Sequence, residues 1–513
     1  MTFLFSFQRR TLPLFCAALL LLLMMGAAPA FGQSAAHGPS PAAQPLTAAQ
    51  PVTPVQPLTP AERAGAAITP APTSGFVPPV WTALPFAGML LTLALFPLVA
   101  AHHWERVQAP ASLLWVVLAL GLMWASLPAG TGFAAVYGSK TAATLEDYVA
   151  FIVLLGTLYV ISGGIYFSGG VPGTPGRNVA MLLLGSVLAN FVGTTGAAML
   201  LVRPMIRDNL GRKRQTHVII FLIFIVCNVA GLLTPIGDPP LFLGYLQGVP
   251  FFWTLKLLPQ WGFAVGVLLL VFYGIDSWIA RKDGLPEPEP VEPLELHGRS
   301  NLLLLAGVIG AVILSGTVHT GISFSLFGLR EIHLESLLRD AVLVTLALAS
   351  LRFTSRHART QNGFNFAPLR EVAVLFFGIF VTMGPALMLM QERGAELGLG
   401  TPASYFWYSG ILSSFLDNAP TYMTFLAAAQ GELGAAHAIE LTRSAAGEAV
   451  LAALSTGSVF MGANTYIGNG PNFMVKAIAE RSGVPMPGFF GYMVWSCAIL
   501  LPLFGLVTWL FFL

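Results

Sequence analysis

The chain has 513 residues, of which 55% are hydrophobic and only 9% are charged, and its formal net charge is +2. Soluble domains carry about 25% charged residues, so this composition is typical of a polytopic membrane protein with several segments that can cross about 30 Å of hydrocarbon. The small net charge gives no indication of nucleic-acid binding. The sequence contains neither a nucleophile–base arrangement nor the residue spacing of a catalytic metal site. We therefore predict that the protein is not an enzyme and has no cofactor.

The amino terminus is predicted to be a secretory signal over residues 1–32. Arg9 and Arg10 precede a short apolar stretch, which is followed by small residues. The alternative is an uncleaved signal anchor. Residues 33–80 are rich in Pro, Ala, Thr and Gln, a composition that cannot bury a core, and they are predicted to be a disordered periplasmic linker.

Apolar segments then follow in two blocks, which we predict to be two transmembrane repeats at 81–282 and 301–513. The polar linker 283–300 separates them and is predicted to be cytoplasmic. The first block has apolar segments at about 82–101, 111–128, 147–168, 179–201, 216–246 and 255–280. The second has them at about 301–318, 339–353, 371–392, 402–427, 449–480 and 486–512.

Two pairs of stretches match between the blocks. Residues 188–196 align with 412–420, and residues 231–242 align with 462–473, in the same order. The loop 203–214 after the first match carries five basic residues and one acidic residue, whereas its counterpart 428–448 carries three Glu and one Arg. Because basic loops stay in the cytoplasm, the repeats are predicted to be inverted, as in many secondary transporters.

Polar residues interrupt corresponding segments of the two repeats. Segments 179–201 and 402–427 are predicted to be re-entrant hairpins, and Gly237-Asp238-Pro239-Pro240 and Gly468-Asn469-Gly470-Pro471 are predicted to break the next helices. Non-helical backbone at membrane depth must be buried in protein or line a cavity. The predicted fold is an all-α polytopic membrane protein with two inverted repeats, about ten transmembrane helices, two re-entrant hairpins and two broken helices.

The hairpin tips and helix breaks are predicted to converge on one site for ions or a small substrate. Its hydroxyls, amides and carboxylates suit sodium or a similar hard cation, with Asp417 and Asn418 as predicted Na⁺ ligands. An acid near the bilayer centre costs about 2.5–3.5 kcal/mol on insertion scales, which indicates a function. The candidate residues are Asn190, Thr194, Thr195, Thr234, Asp238, Ser413, Ser414, Asp417, Asn418, Thr421, Asn464, Thr465, Asn469 and Asn472.

Two acids, Asp238 and Asp417, are the predicted proton carriers. Two close carboxyl groups hold protons more tightly, so an entering cation would displace a proton. These motifs contain no Lys or Arg, whereas a citrate-like substrate would want basic residues, or neutral amides and hydroxyls with bound sodium. We therefore predict a sodium/proton antiporter; the alternative is a symporter of citrate or another carboxylate. The repeats and broken helices argue against a passive channel or a sensor.

Simpler interpretations of single acids also follow from the sequence. The alternative for Asp238 is a helix cap. Asp147 and Asp276 lie near predicted membrane interfaces and are interpreted as anchors or snorkelling groups.

At these motifs the chain resembles the ion-transporter superfamily, which includes NhaD-type sodium/proton antiporters, arsenite permeases, citrate–metal symporters and dicarboxylate/sodium symporters. The resemblance covers about residues 82–513 and is carried by the stretches 190–196, 237–240 and 416–421. It implies the two-hairpin fold, a homodimer, and elevator-like motion of the site against a scaffold. The predicted location is the bacterial cytoplasmic membrane. The first tip has Gly193 where some antiporters have an acid.

Overall fold

The computed structural model describes residues 76–513 except 171, 285–291 and 327–328. The predicted signal and the predicted linker up to residue 75 lie outside the described residues. Within them, nine helices are long and apolar enough to cross a membrane, and Val80–Phe96 forms a shorter apolar helix. The elements are α1 Leu84–Ala125, α2 Ser139–Ser162, β1 Tyr166–Gly170, α3 Pro175–Asp208, α4 Thr216–Ile225, α5 Pro239–Leu246, α6 Leu258–Asp283, β2 Glu292–His297, α7 Ser300–Thr317, β3 Ser323–Leu326, β4 Arg330–His333, α8 Leu334–Phe353, α9 Arg356–Gln361, α10 Ala367–Arg393, α11 Pro402–Phe415, α12 Asn418–Leu433, α13 Ala438–Leu441, α14 Ala445–Met461, α15 Gly470–Arg481 and α16 Phe489–Phe511.

The long helix α1 contains a chain reversal. Trp115 Nε1 donates a hydrogen bond to Thr92 Oγ1 at 3.0 Å, although 23 residues of straight helix would separate them by about 35 Å. The two predicted spans at 82–101 and 111–128 therefore pack against each other within this one element.

Hairpin 1 is the element α3, and it returns to the face at which it starts. Thr174 caps its first turn by accepting from Arg177 N, and Pro175 occupies the first turn. Gly193 interrupts the helix with φ 75° and ψ 157°, a conformation that glycine adopts most readily. The two ends meet where Arg177 lies 3.6 Å from Asp208. The prediction of a re-entrant hairpin with its tip at 190–196 is confirmed.

Hairpin 2 consists of α11 and α12 and starts with the same Thr-Pro pair. Thr401 caps α11 by accepting from Ser404 N at 3.2 Å, and the two limbs are tied at their base where Tyr405 Oη donates to Glu432 Oε2 at 2.6 Å. Residues 416–417 separate the limbs at the tip.

Each hairpin packs against a broken helix. The first broken helix comprises α4, a 3₁₀ turn at Val229–Leu233, the first break at 234–238, and α5. The second comprises α14, a 3₁₀ turn at Gly462–Asn464, the second break at 465–469, and α15. Pro239 and Pro471 lie in the first turns of the helices that follow, where the missing N–H costs no hydrogen bond.

The repeat is visible in matching hydrogen bonds at aligned positions. Thr234 Oγ1 donates to Asn190 O at 2.6 Å, and Thr465 Oγ1 donates to Ser414 O. The same two threonines accept from the glycine three residues later, at 3.1 Å and 3.2 Å respectively. Each break is thus held to its own hairpin in the same way.

Contacts between loops show that the repeats are inverted. Lys256, which follows the first broken helix, pairs with Glu448 in the first turn of α14, which follows the base of hairpin 2 in the chain. Thr216, beside the base of hairpin 1, donates to Pro485 O, which follows the second broken helix, at 2.8 Å. The hairpins therefore enter from opposite faces. We name the face at the base of hairpin 1, with its loop 203–214, the basic face.

Two features of the basic face differ from the sequence prediction. The linker 283–300 contains β2, which pairs antiparallel with β1, so this segment is partly a strand. The Pro-rich start of the linker gave no sequence signal for the Glu292–His297 strand, because its partner strand β1 is distant in the chain.

Asp276 is fully buried, so the interpretation of this residue as an interfacial anchor is wrong. Its carboxylate pairs with Arg212, lies 2.9 Å from His217 Nε2 and accepts from Asn178 Nδ2 at 2.9 Å. Asn178 and Arg212 lie at the two ends of hairpin 1, so this network fixes the hairpin base to α4 and α6.

Replacing Asp276 by Ala is expected to lower the free energy of unfolding by about 3–5 kcal/mol, because Arg212 would remain buried without its partner. The thermal unfolding midpoint of the purified protein in detergent measures this loss. Asp283→Ala is the matched control on the same helix, since its partner Arg214 is exposed to solvent at the surface and pairs with an exposed partner contribute little. Equal losses for the two variants would contradict the assignment.

Candidate functional site

Asp238, in the first break, is the centre of the polar site. Its side chain is 1% exposed. Oδ1 accepts from Thr194 Oγ1 at 2.9 Å and from Asn469 Nδ2 at 3.2 Å, and Oδ2 accepts from Asn418 Nδ2. A buried carboxylate needs such compensation, and its three donors come from both hairpin tips and the second break.

The members of this cluster are related by the repeat. In the sequence alignment Asp238 corresponds to Asn469, and Thr194 corresponds to Asn418. Each pair therefore consists of one residue from each repeat, and all four side chains are buried. We name Thr194, Asp238, Asn418 and Asn469 the central cluster.

Asp417 lies at the tip of hairpin 2, as the sequence predicts, and its side chain caps the second limb. Its Oδ1 accepts from Ala419 N at 3.0 Å, and it is the N-cap of α12. Asp238 precedes α5 but its side chain makes no cap hydrogen bond. The helix-cap interpretation thus applies to Asp417 and not to Asp238. Asp417 is half-buried and still interacts electrostatically with Asp238.

Several predicted site residues use their side chains to hold the backbone. Ser413 Oγ donates to Ser458 O at 2.6 Å, and Ser414 Oγ donates to Gly410 O at 2.9 Å. Asn190 Oδ1 accepts from Leu233 N at 2.9 Å. Ser414 Oγ also lies 3.1 Å from Met461 O. Together with Thr234 and Thr465, these residues join each hairpin to its broken helix and position the central cluster.

The remaining candidates surround the cluster. Thr421 Oγ1 donates to Asp417 O at 3.0 Å and lines an apolar cavity of about 640 Å³ between hairpin 2 and α1. Asn464 Nδ2 donates to Ser414 Oγ at 2.9 Å. Asn472 Nδ2 donates to the carbonyls of Gly462 and Thr465, at 2.9 Å and 3.0 Å, and so holds the unwound part of the second broken helix.

One buried amide that the sequence reasoning missed is Asn228. Its Nδ2 donates to Asn472 Oδ1 at 2.8 Å, and Asn469 Nδ2 donates to the neighbouring Cys227 O at 2.9 Å. The signal in the sequence is an amide inside the apolar run 218–233. Asn228 thereby links the two broken helices beside the cluster.

A cavity of about 50 Å³ lies beside Asp238. Thr195 and Gly193 line it from hairpin 1, and Phe151, Leu158 and Tyr159 line it from α2. This volume holds roughly three to five water molecules. The cavity has the size of a small ion with part of its hydration shell.

On the hairpin tip and the broken helices that form the site, three buried amide oxygens have no hydrogen-bond partner within the described part of the chain: Oδ1 of Asn418, of Asn464 and of Asn228. An unsatisfied buried acceptor costs about 1–3 kcal/mol. Amide and carboxylate oxygens are the ligands of hard cations. The donor set near Asp238 therefore fits a hard cation as cargo.

Two re-entrant hairpins and two broken helices that meet at one buried polar centre define a secondary transporter of the inverted-repeat type. A family model described as "Putative citrate transport" matches residues 76–512, and the chain belongs to this citrate-transport family. No curated protein matches the chain.

Gly193→Ala is expected to destabilise the tip of hairpin 1 by roughly 1–3 kcal/mol, because a non-glycine residue is strained at φ 75°. Its Cβ would also lie 3.4 Å from Ile236 O. Gly176→Ala, at the base of the same hairpin and with open space around its Cβ, is the control. Thermal unfolding of both variants measures the difference, and equal midpoints would show that the positive φ carries no constraint.

Proposed function

We propose that the protein is a sodium/proton antiporter in which the carboxyl group of Asp238 holds either a proton or Na⁺. The observation that carries the proposal is the convergence of both hairpin tips and both breaks on this one buried acid. The proposed location is the cytoplasmic membrane of a bacterium, and the proposed assembly is a homodimer.

The exchange step follows from the ligands around Asp238. When the carboxyl O–H bond ionises, the proton leaves to water, and Na⁺ binds the carboxylate together with nearby amide oxygens such as Asn418 Oδ1. When Na⁺ leaves on the other side of the membrane, the carboxylate takes up a proton. Since one carboxylate cannot hold both, the two ions move in opposite directions.

Asp417 has a supporting role in this scheme. It caps α12 at the tip of hairpin 2 and adds a second negative charge near Asp238. That charge attracts the cation and so lowers the Na⁺ concentration needed for exchange. The small cavity beside Asp238 supports a bare or partly hydrated cation as cargo in this conformation.

The second candidate is a symporter of citrate or another carboxylate with a cation. The match to the citrate-transport family favours it. The same oxygen ligands would then hold the coupling cation, and the cavity would have to widen for the carboxylate.

Asp238→Asn is expected to abolish sodium-driven proton movement in proteoliposomes that contain a pH-sensitive dye, because an amide cannot release a proton. Asp417→Asn is the matched control, since Asn is an equally good N-cap. It should retain exchange and raise the half-saturating Na⁺ concentration by about three- to tenfold, the effect of roughly 0.7–1.4 kcal/mol.

The assay also separates the two candidates. Sodium-driven proton movement without any carboxylate supports antiport. Sodium-dependent uptake of labelled citrate with no proton movement would exclude it in favour of symport. Exchange that survives in Asp238→Asn would remove Asp238 from the mechanism.

Competition for one carboxylate also sets a pH dependence for exchange. At a pH low enough for the Asp238 carboxyl to be mostly protonated, each further unit of acidification should raise the half-saturating Na⁺ concentration about tenfold, while the maximal rate at saturating Na⁺ stays constant. Initial rates at several external pH values measure this. A half-saturating concentration independent of pH would mean that Na⁺ and H⁺ bind at separate sites.

A further inference from the structure

A group of exposed cations lies at the basic face, where the end of α6 meets the loop that follows hairpin 1. Lys213 and Arg214 belong to that loop, and Lys282 lies in the last turn of α6. All three are exposed, and all three interact electrostatically with Asp283. One acid among three cations leaves an excess of two positive charges at this place.

Trp278 holds two of these cations over its indole ring. Arg214 Cζ lies 5.7 Å from the ring centroid, and Lys282 Nζ lies 5.0 Å from it. Arg214 also donates from Nε and Nη2 to Asp283, at 2.6 Å and 2.7 Å, while 43% of its side chain stays exposed. The cations are therefore held beside an aromatic ring and still face outward. We name Lys213, Arg214, Trp278 and Lys282 the interfacial cluster.

The helix below the interfacial cluster presents an apolar surface outward. Leu270 is 73% exposed, and Tyr273 and Trp278 are exposed as well, although α6 is part of the candidate membrane span Phe251–Asp283. Leu270, Trp278 and Lys282 follow one another at intervals of eight and four residues, which places them on one side of the helix. A tryptophan between an apolar helix face and basic residues is typical of the boundary between hydrocarbon and lipid headgroups.

The chemistry of this surface favours an anionic phospholipid over a soluble anion. Lys and Arg form strong hydrogen bonds with phosphate oxygens, and the excess positive charge attracts a negative headgroup. The acyl chains of the same molecule would cover the apolar face of α6. A soluble anion would make only the first of these two contacts.

The position of the interfacial cluster connects it to hairpin 1. Arg212, directly before Lys213, pairs with Asp276 of α6 inside the protein. Arg214 pairs with Asp283 of the same helix at the surface. A headgroup bound at the interfacial cluster would add a third link between the loop that follows hairpin 1 and α6.

We propose that the interfacial cluster binds the phosphate headgroup of an anionic phospholipid, whose acyl chains lie along the exposed apolar face of α6. The bound lipid strengthens the attachment of hairpin 1 to α6 at the basic face. This binding is independent of which ions or substrates the protein transports.

Native mass spectrometry of the full-length protein in neutral detergent measures the binding of phosphatidylglycerol and of phosphatidylcholine with the same acyl chains. The wild type should bind phosphatidylglycerol about 25-fold more tightly, because each of the two excess charges contributes about 1 kcal/mol, or about fivefold. The double variant Lys213→Gln/Lys282→Gln should bind the two lipids equally. The double variant Lys213→Arg/Lys282→Arg keeps both charges and should retain the preference.

Lys256→Gln is the matched control, since it removes an exposed lysine at the opposite end of the same span. It should keep the preference for phosphatidylglycerol. This lipid should also raise the thermal unfolding midpoint of the wild type, since a ligand of the folded state stabilises it, and should leave the midpoint of the double glutamine variant unchanged.

Four outcomes would overturn the proposal. The wild type binds both lipids equally; the double glutamine variant keeps the preference; or Lys256→Gln loses as much of it, which would indicate a general attraction between the charges of the protein and the lipid. Glycerol phosphate that binds the wild type as tightly as phosphatidylglycerol would assign the interfacial cluster to a soluble phosphate instead.

Discussion

The fold depends on the need to compensate one buried carboxylate. The donors to Asp238 are 44, 180 and 231 residues away in the chain, and they come from the tip of hairpin 1, the tip of hairpin 2 and the second break. A buried acid without such donors is strongly unfavourable, so the tips and breaks stabilise one another through it. Displacing either tip would remove a donor and leave the charge less compensated. In the proposed mechanism, exchange of a proton for a cation at this position would therefore be coupled to how the hairpins pack.

Within this framework the repeats share their scaffold and differ in their chemistry. The bonds from Thr234 and Thr465 to their hairpins are equivalent. The acidic residues are not equivalent in the two repeats. In the alignment Asp238 corresponds to Asn469, and Asp417 corresponds to Gly193. Two acids at the centre would repel each other, whereas the amide of Asn469 donates a hydrogen bond that the carboxylate of Asp238 accepts. The asymmetry leaves one ionisable group in the central cluster and a second at the neighbouring tip.

The sequence predicts the framework well because its signals are local. Helix breaks at Gly and Pro, basic residues in loops, and the length of apolar segments can each be read within one turn or one span. The hairpins and the inverted repeats are predicted from these local signals. The partners of individual side chains are decided by tertiary contacts. Sequence alone therefore could not decide which of Asp238 and Asp417 caps a helix, since both precede a helix start and only Asp417 accepts a hydrogen bond from a backbone N–H. It also missed the Asp276 network, Asn228 and the β1–β2 pair, whose partners are distant in the chain.

Hairpin 1 connects the central cluster to the basic face. Its tip supplies Thr194 to Asp238, and its second limb returns to the basic face. Its base is fixed by Asp276 through Arg212 and Asn178. Because the limb between tip and base is helical, it fixes the distance between Thr194 at the tip and the Asp276 network at the base. The position of the donor to Asp238 therefore depends on how the base of the hairpin is held.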